Sequence, residues 1–302
     1  MFVGDRIDVG SLSREPWNVG KGSPMRPRSQ VFDLYGDYFR YAGGAVRLGP
    51  LTELLGLLGV EPATVRVVMT RLRKDGWFDS DKSGREVTYR LNEKSWHLLE
   101  EGHTRIFERG FGDWDRVWTQ ALLVDDECDR AHRKRIRTAL TWCGFGAYGG
   151  AVWFSPHDRR KQLGEMLDPG DDRWIEFLHS TTAALTVDRV IAERCWDLGE
   201  LGADYRAFID TYQSRLARYR RGLAGIDALV ERMQLVQDYR RYPFRDPDLP
   251  EPLLPAGWGG RDAHAIFLEG HELLRTAAEQ LVTEVTGVSL GEQICDTDIE
   301  IL

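Results

Sequence analysis

Glu61-Pro62-Ala63-Thr64-Val65-Arg66-Val67-Val68-Met69-Thr70-Arg71-Leu72-Arg73-Lys74-Asp75-Gly76 reads as one capped helix. Pro62 suits a first helical turn, where its missing N–H costs nothing. Gly76 suits the left-handed residue just past a helix end. Val65, Val68, Met69 and Leu72 fall at i, i+3, i+4 and i+7 and form one apolar stripe. Ala63, Arg66, Val67, Thr70, Arg71 and Lys74 occupy the opposite arc, small or methyl-bearing near its start and cationic further on. Small and hydroxyl side chains let a helix approach base edges, and arginines reach guanine or phosphate. Taken alone, such a helix reads better as a solvated one with ordinary surface charge.

Its neighbours decide between the two. A short helix over Pro50 to Leu58 precedes it, with Leu51, Leu54, Leu55 and Leu58 on one side and Gly59 at its end. Two short helices joined by a tight glycine-containing turn form a helix-turn-helix. The segment that follows alternates, with Val87, Tyr89 and Leu91 on one face and Glu86, Thr88 and Arg90 on the other. It reads as a β-hairpin with a polar turn at Lys82-Ser83-Gly84. Upstream, Ser29 caps a first helix to about Tyr41, Gly43-Gly44 stops it, and Ala45 to Leu48 is a short strand able to pair with the hairpin. The order helix, helix, helix, hairpin predicts a winged helix over 25–110. Arg66, Thr70 and Arg71 are the expected base or phosphate contacts, and Lys74, Lys82 and Arg85 the backbone contacts.

The 302 residues suffice for about two or three domains, and 42% hydrophobic content is that of a globular chain. The net charge of −8 argues against indiscriminate coating of nucleic acid. From Met25 to Gly110 there are 14 Lys+Arg and 12 Asp+Glu, whereas from Phe111 onward there are 23 and 33. An acidic body with a mildly basic head suits binding through one local face. Cys128, Cys143, Cys195 and Cys295 show no CxxC spacing, so reduced thiols are expected rather than zinc or disulfides. No apolar run approaches a membrane span and no secretion signal is legible, which predicts a cytoplasmic protein.

The rest of the chain divides in order. Residues 1–24 are polar, Gly- and Ser-rich and aperiodic, and read as a flexible arm. Over 113–184, a strand at Val117–Val124 ends at Asp125-Asp126, and a helix with a basic run, Arg133-Lys134-Arg135-Ile136-Arg137, spans Cys128 to Trp142. Two strands around a glycine turn, a helix over 157–167 and a strand over 174–179 complete β-α-β-β-α-β, the order of a ferredoxin-like sandwich. Residues 185–302 read as helical. Leu201, Tyr205, Phe208, Ile209, Tyr212 and Leu216 repeat at helical spacing, as do Ile226, Leu229, Val230, Met233 and Val236. The Pro- and Gly-rich stretch 238–260 reads as an ordered loop, and Asp262 caps a last helix. The fold class is α+β.

Several tracts also carry a family resemblance: Pro27-Arg28-Ser29 to Tyr35-Gly36-Asp37-Tyr38; Val65-Arg66 to Arg71-Leu72 to Gly76-Trp77; Gly84-Arg85 to Tyr89-Arg90-Leu91; Arg194-Cys195-Trp196-Asp197-Leu198; and Tyr239-Arg240-Arg241, Asp246-Pro247-Asp248-Leu249-Pro250, Leu253-Leu254-Pro255 and Trp258. Together they resemble the PaaX family of bacterial transcriptional regulators over nearly everything after Met25. The resemblance implies a dimeric winged-helix repressor of aromatic-acid catabolism, such as that of phenylacetate. It also implies release from operator DNA by an acyl-CoA thioester such as phenylacetyl-CoA, with no cofactor, no metal and no catalysis. Tyr239, Arg240, Arg241, Arg245, Trp258 and His264 offer cations for phosphates and aromatics for an acyl group. Packing or a surface ion pair is the competing role for each. The middle segment also resembles the Cas2 fold, in which an aspartate ending the first strand helps bind a metal. Asp125 matches that position, so the rival reading is a metal-dependent nuclease centred on Asp125. Alternatively Asp125 and Asp126 simply end a strand and open a helix. A thioester hydrolase lacks support, since no Gly-x-Ser-x-Gly elbow is present.

Overall fold

A computed structural model describes residues 25–109, 113–124 and 129–290. The flexible arm 1–24, the metal-binding reading of Asp125 and the tail beyond Leu290 lie outside the described residues. Packing groups the described chain into two compact units, one of 104–211 and 239–266, the other of 25–103, 212–238 and 267–290. The C-terminal segment therefore contributes to both.

In the unit that holds the N-terminal segment, α1 (Pro27–Asp37) begins with Pro27 in its first turn behind an extended Arg26. Ser29 is inside the helix and buried rather than capping it, because proline's fixed φ and missing N–H suit the first position better. A 3-10 turn at Phe39–Ala42 follows, so the helix is shorter than expected. Then come β1 (Ala45–Arg47), α2 (Leu48–Leu57), α3 (Pro62–Lys74), β2 (Phe78–Ser83), β3 (Glu86–Leu91) and α4 (Glu93–Phe107). Gly76 has φ +73 and closes α3, with the Trp77 N–H donating to the Leu72 carbonyl at 2.9 Å. β3 is the central strand of an antiparallel sheet ordered β1-β3-β2. Ser83 pairs with Glu86, so the hairpin turn is Gly84-Arg85 rather than Lys82-Ser83-Gly84. Gly84, at φ +61, takes the left-handed position that a two-residue loop needs first. Asn92 caps α4 by accepting from the Ser95 N–H at 3.0 Å.

The core under this sheet is aromatic. Tyr35 meets Phe78 edge-on at 4.7 Å, Phe32 meets Trp77 at 5.6 Å, and the Tyr35 hydroxyl donates to the Tyr89 carbonyl at 3.1 Å. The unit's other elements are the later part of α8 (Leu198–Arg220), α9 (Gly225–Tyr239) up to Asp238, and α10 (Gly260–Thr286) from Phe267. Here a fully buried arginine, Arg232 of α9, meets α1. Its Nε lies 3.1 Å from Asp37, and its Nη2 lies 2.8 Å from Nε2 of His271 on α10. The same His271 nitrogen lies 2.9 Å from Asp37. The Arg232 guanidinium also sits 5.3 Å from the centre of the Tyr38 ring. Burial alone would raise the Asp37 carboxyl, but Arg232 and His271 outweigh it and hold it well below the ordinary range. Burial and the neighbouring Arg232 lower the pKa of His271. Val230, expected on the inner face of α9, is 38% exposed while Arg232 is 0% exposed, because the groove it enters is lined by an acid and a histidine rather than by hydrocarbon.

The other unit contains β4 (Trp118–Leu123), α5 (Arg130–Trp142), β5 (Gly146–Gly149), β6 (Val152–Ser155), α6 (Arg160–Met166), β7 (Ile175–Ser180) and α7 (Leu185–Cys195). Its antiparallel sheet is ordered β5-β6-β4-β7, as the β-α-β-β-α-β succession requires of a ferredoxin-like sandwich. α5 starts at Arg130, later than expected, because Asp129 caps it by accepting from the Ala131 and His132 N–H groups. Ala121, Ile136, Leu140, Phe145, Trp153 and Leu163 fill the space between the sheet and helices α5 and α6. On the opposite face Trp118 and Phe154 pack against Ile191, Leu198, Leu249 and Leu253. The stretch 240–259 is ordered and holds one 3-10 turn, Glu251–Leu253. Asp262 lies in the first turn of α10 and does not cap it, since the helix already begins at Gly260 with the Ala263 N–H bonded to the Gly259 carbonyl.

Arg232→Leu is expected to lower stability by about 3–5 kcal/mol, because it strands Asp37 and His271 in a buried polar site. In urea unfolding of the full chain, an Asp37→Leu/Arg232→Leu double variant should lose less than the two singles added together.

Candidate nucleic-acid interface

The two faces of α3 follow from its sequence. Val65, Met69 and Leu72 are buried at 0–1% exposure and Val68 is half-buried. Ala63, Arg66, Val67, Thr70, Arg71, Arg73 and Lys74 are all exposed. Val67 stands 48% free, a large apolar side chain in the middle of a cationic face. A methyl-bearing side chain among arginines matches the chemistry of a major-groove edge, where thymine offers a methyl and guanine two acceptors.

On the hairpin, Lys82 and Arg85 are exposed near its tip. Nearby cations are paired: Arg28 with Asp75 at 3.5 Å, Arg47 with Glu86 at 3.3 Å and Arg90 with Asp81 at 3.3 Å. Among the described residues no carboxylate lies within ion-pair reach of Arg66, Arg71, Lys74, Lys82 or Arg85. The charges left without a carboxylate partner in this segment therefore include those on α3 and the hairpin.

The six residues expected at an effector all lie in the other unit and are largely engaged already. Tyr239 is buried, and its hydroxyl is 2.9 Å from Nδ1 of His264. Arg240 is buried as well. Arg245 meets Asp204 at 2.6 Å and Glu200 at 3.4 Å. Arg241 donates to the Tyr242 hydroxyl at 3.0 Å. Trp258 packs edge-on against Tyr205 at 5.5 Å. Among the six, Tyr239 and His264 are in direct contact.

Sequence reasoning missed the centre of this polar network, Arg109. Its side chain is 2% exposed and lies 2.6 Å from Asp246, with Asp248 as a second carboxylate partner. It also donates to the Tyr205 hydroxyl at 2.8 Å, which in turn donates to Asp246 at 2.6 Å. The Asp-Pro-Asp of the late Pro-rich tract was the available signal: two carboxylates in an otherwise apolar, buried stretch need a cation. Asp248 has φ +53, and its carbonyl accepts from the His157 ring at 2.7 Å, so the loop is pinned at three points. Among the described residues no cluster of His, Cys, Asp and Glu could hold a metal ion, and no helix is long and apolar enough to cross a membrane.

With this geometry in hand, the chain was compared with known proteins. Residues 26–95 match the family described as PaaX-like protein, 112–192 the PaaX protein central Cas2-like domain, and 196–284 the PaaX-like protein C-terminal domain. The chain is 31% identical over 276 residues to the transcriptional repressor PaaX of Escherichia coli K12, covering 89% of this chain and 87% of that protein. Among solved structures it is similar to the uncharacterized protein Rv0674 from Mycobacterium tuberculosis. The TM-score is 0.55 at 20% identity, over 84% of this chain and 98% of that one, a likeness of fold alone. The class is thus an α+β protein with two antiparallel sheets, the second in a Cas2-like middle domain. The chain belongs to the PaaX-like family.

Burial, with Arg109 nearby, holds His264 down to about 4. Between its free value of about 6.5 and that point the unfolded chain binds a proton that the folded chain refuses, so stability falls as pH falls through this window. His264→Gln should flatten the decline, measured as melting temperature against pH from 7 to about 4.

Proposed function

We propose that this chain is a dimeric, DNA-binding transcriptional repressor of an aromatic-acid catabolic operon of the phenylacetate type, released by an acyl-CoA thioester such as phenylacetyl-CoA. It is a regulator and not an enzyme. The observation that carries the proposal is the near full-length identity to a transcriptional repressor. The exposed cationic face of α3 supports it. In this reading residues 25–110 form a winged helix-turn-helix, 113–184 a ferredoxin-like domain and 185–302 a helical domain. α3 enters the major groove, Arg66, Thr70 and Arg71 meet bases or phosphates, and Lys74, Lys82 and Arg85 hold the backbone. A two-fold dimer reads two half-sites about one helical turn or a multiple apart.

The effector is placed at Tyr239, Arg240, Arg241, Arg245, Trp258 and His264. Since Arg245 already holds Asp204 and Glu200, a phosphate there has to replace a carboxylate partner. A ligand that binds one state more tightly than the other shifts the equilibrium by that difference in affinity, which is how a thioester would lower DNA affinity. The test is fluorescence anisotropy of the full chain on duplexes from the promoters of its neighbouring genes. Selective binding without added metal, reversed by phenylacetyl-CoA, is the expected result. Binding without sequence preference sinks the repressor reading, and selective binding that no acyl-CoA reverses sinks the effector.

Arg71→Ala should weaken selective binding by roughly 1–3 kcal/mol if Arg71 reads a base. If it meets only phosphate, the loss is equal on all sequences and the salt dependence is shallower. Unchanged affinity and unchanged salt slope would remove Arg71 from the interface.

A further inference from the structure

Helix α5 of the ferredoxin-like sheet carries Arg130, Arg133, Lys134, Arg135 and Arg137 and not one Asp or Glu, in a chain of net charge −8. The acids of this region, Asp125, Asp126, Glu127 and Asp129, all precede the helix. The fold has an evident use for only part of this charge. Ile136, Ala139 and Leu140 form the buried face, and Arg135 turns to Asp168 at 3.0 Å and Asp171 at 3.4 Å. Arg130, Lys134 and Arg137, at i, i+4 and i+7, form an exposed outer stripe. Among the described residues no carboxylate lies within ion-pair reach of these three, and Arg137 makes one long bond, 3.4 Å, to the Gly150 carbonyl.

This arrangement opposes helix stability. Like charges at i, i+4 repel, and cations near a helix N-terminus oppose the macrodipole. α5 has its cations toward that end and none in its last turn. Elsewhere the exposed Arg220 has Glu269 at 2.6 Å, and the half-buried Arg275 has Glu272 at 2.9 Å and Glu279 at 3.5 Å. The stripe is thus a concentration of positive charge that neither the helix nor the sheet needs.

We propose that the outer face of α5 is a second DNA-contacting surface, in which Arg130, Lys134 and Arg137 hold the phosphate backbone of a duplex, independent of its sequence. The proposal rests on the reading of the chain as a DNA-binding protein. The stripe is exposed along the length of a helix, which suits an extended polyanion rather than a small anion held in a cleft. Seven residues of helix rise about 10 Å, the axial span of roughly three phosphates of one strand.

The test uses full-length protein and a duplex of arbitrary sequence, with affinity measured over a salt series. Neutralising three phosphate contacts should make the log–log salt slope shallower by up to about 2.7 in an R130Q/K134Q/R137Q variant. The variant's melting temperature should be no lower than wild type, since repulsion is removed. A control, R206Q/R220Q/R261Q, lowers net charge equally at exposed sites elsewhere and should keep the wild-type slope. An unchanged slope in the α5 variant, or an equal loss in the control, overturns the proposal. Free coenzyme A that displaces the duplex from wild type but not from the α5 variant would mark a small-anion site and overturn it too. A slope difference in a wild-type chain that prefers no DNA sequence supports the α5 surface while refuting the repressor reading, so the two fail separately.

Discussion

A guanidinium with no access to water, that of Arg232, determines how the N-terminal helix is held. It needs an anion, and Asp37 at the end of α1 supplies one, with His271 beside both. Taking a charge out of water costs several kcal/mol, so the geometry persists only where its partners are all in place. Apolar packing alone would let α1 slide against α9 and α10, whereas an ion cluster of fixed geometry selects one register. The compact unit that holds α3 and the hairpin sheet is thus drawn from both ends of the chain.

The second unit uses the same device. Arg109 between Asp246, Asp248 and Tyr205 holds a proline-rich loop that has little secondary structure to fix it. Both buried arginines satisfy their partners with side-chain carboxylates distant in sequence. Against these internal cations stand the external ones on α3, the hairpin and α5, which lack carboxylate partners among the described residues. In an acidic chain, cations left without acids are the ones available to a polyanion, and that contrast is the electrostatic basis of the DNA-binding proposals.

Much of this was legible in residue order. The apolar stripe of α3, the left-handed Gly76, the alternation of β3 and the six-element order of the middle segment all rest on interactions within a few residues, which local sequence states directly. The errors were of two kinds. Caps at Ser29 and Asp262 lost to a competing local signal, a proline or an earlier start. Val230 and Arg232 exchanged roles because helical spacing reports which residues share a face, not what chemistry the facing groove offers. The candidate interface residues are exposed where expected, while most of the effector candidates are engaged with one another, with nearby carboxylates or with other aromatic side chains.

Sequence by itself determined the elements, the two faces of α3, the order of the sheet-forming segments and the family. Each follows from backbone preference and the 3.6- or 2-residue period, properties carried by neighbours along the chain. Tertiary structure alone decided that Arg232 joins Asp37 and His271, that Arg109 joins Asp246 and Asp248, and that the C-terminal segment is shared between two units. Those pairings span 39 to 234 residues of sequence. A buried charge identifies the need for a counter-ion, but only the folded path of the chain selects which one it meets.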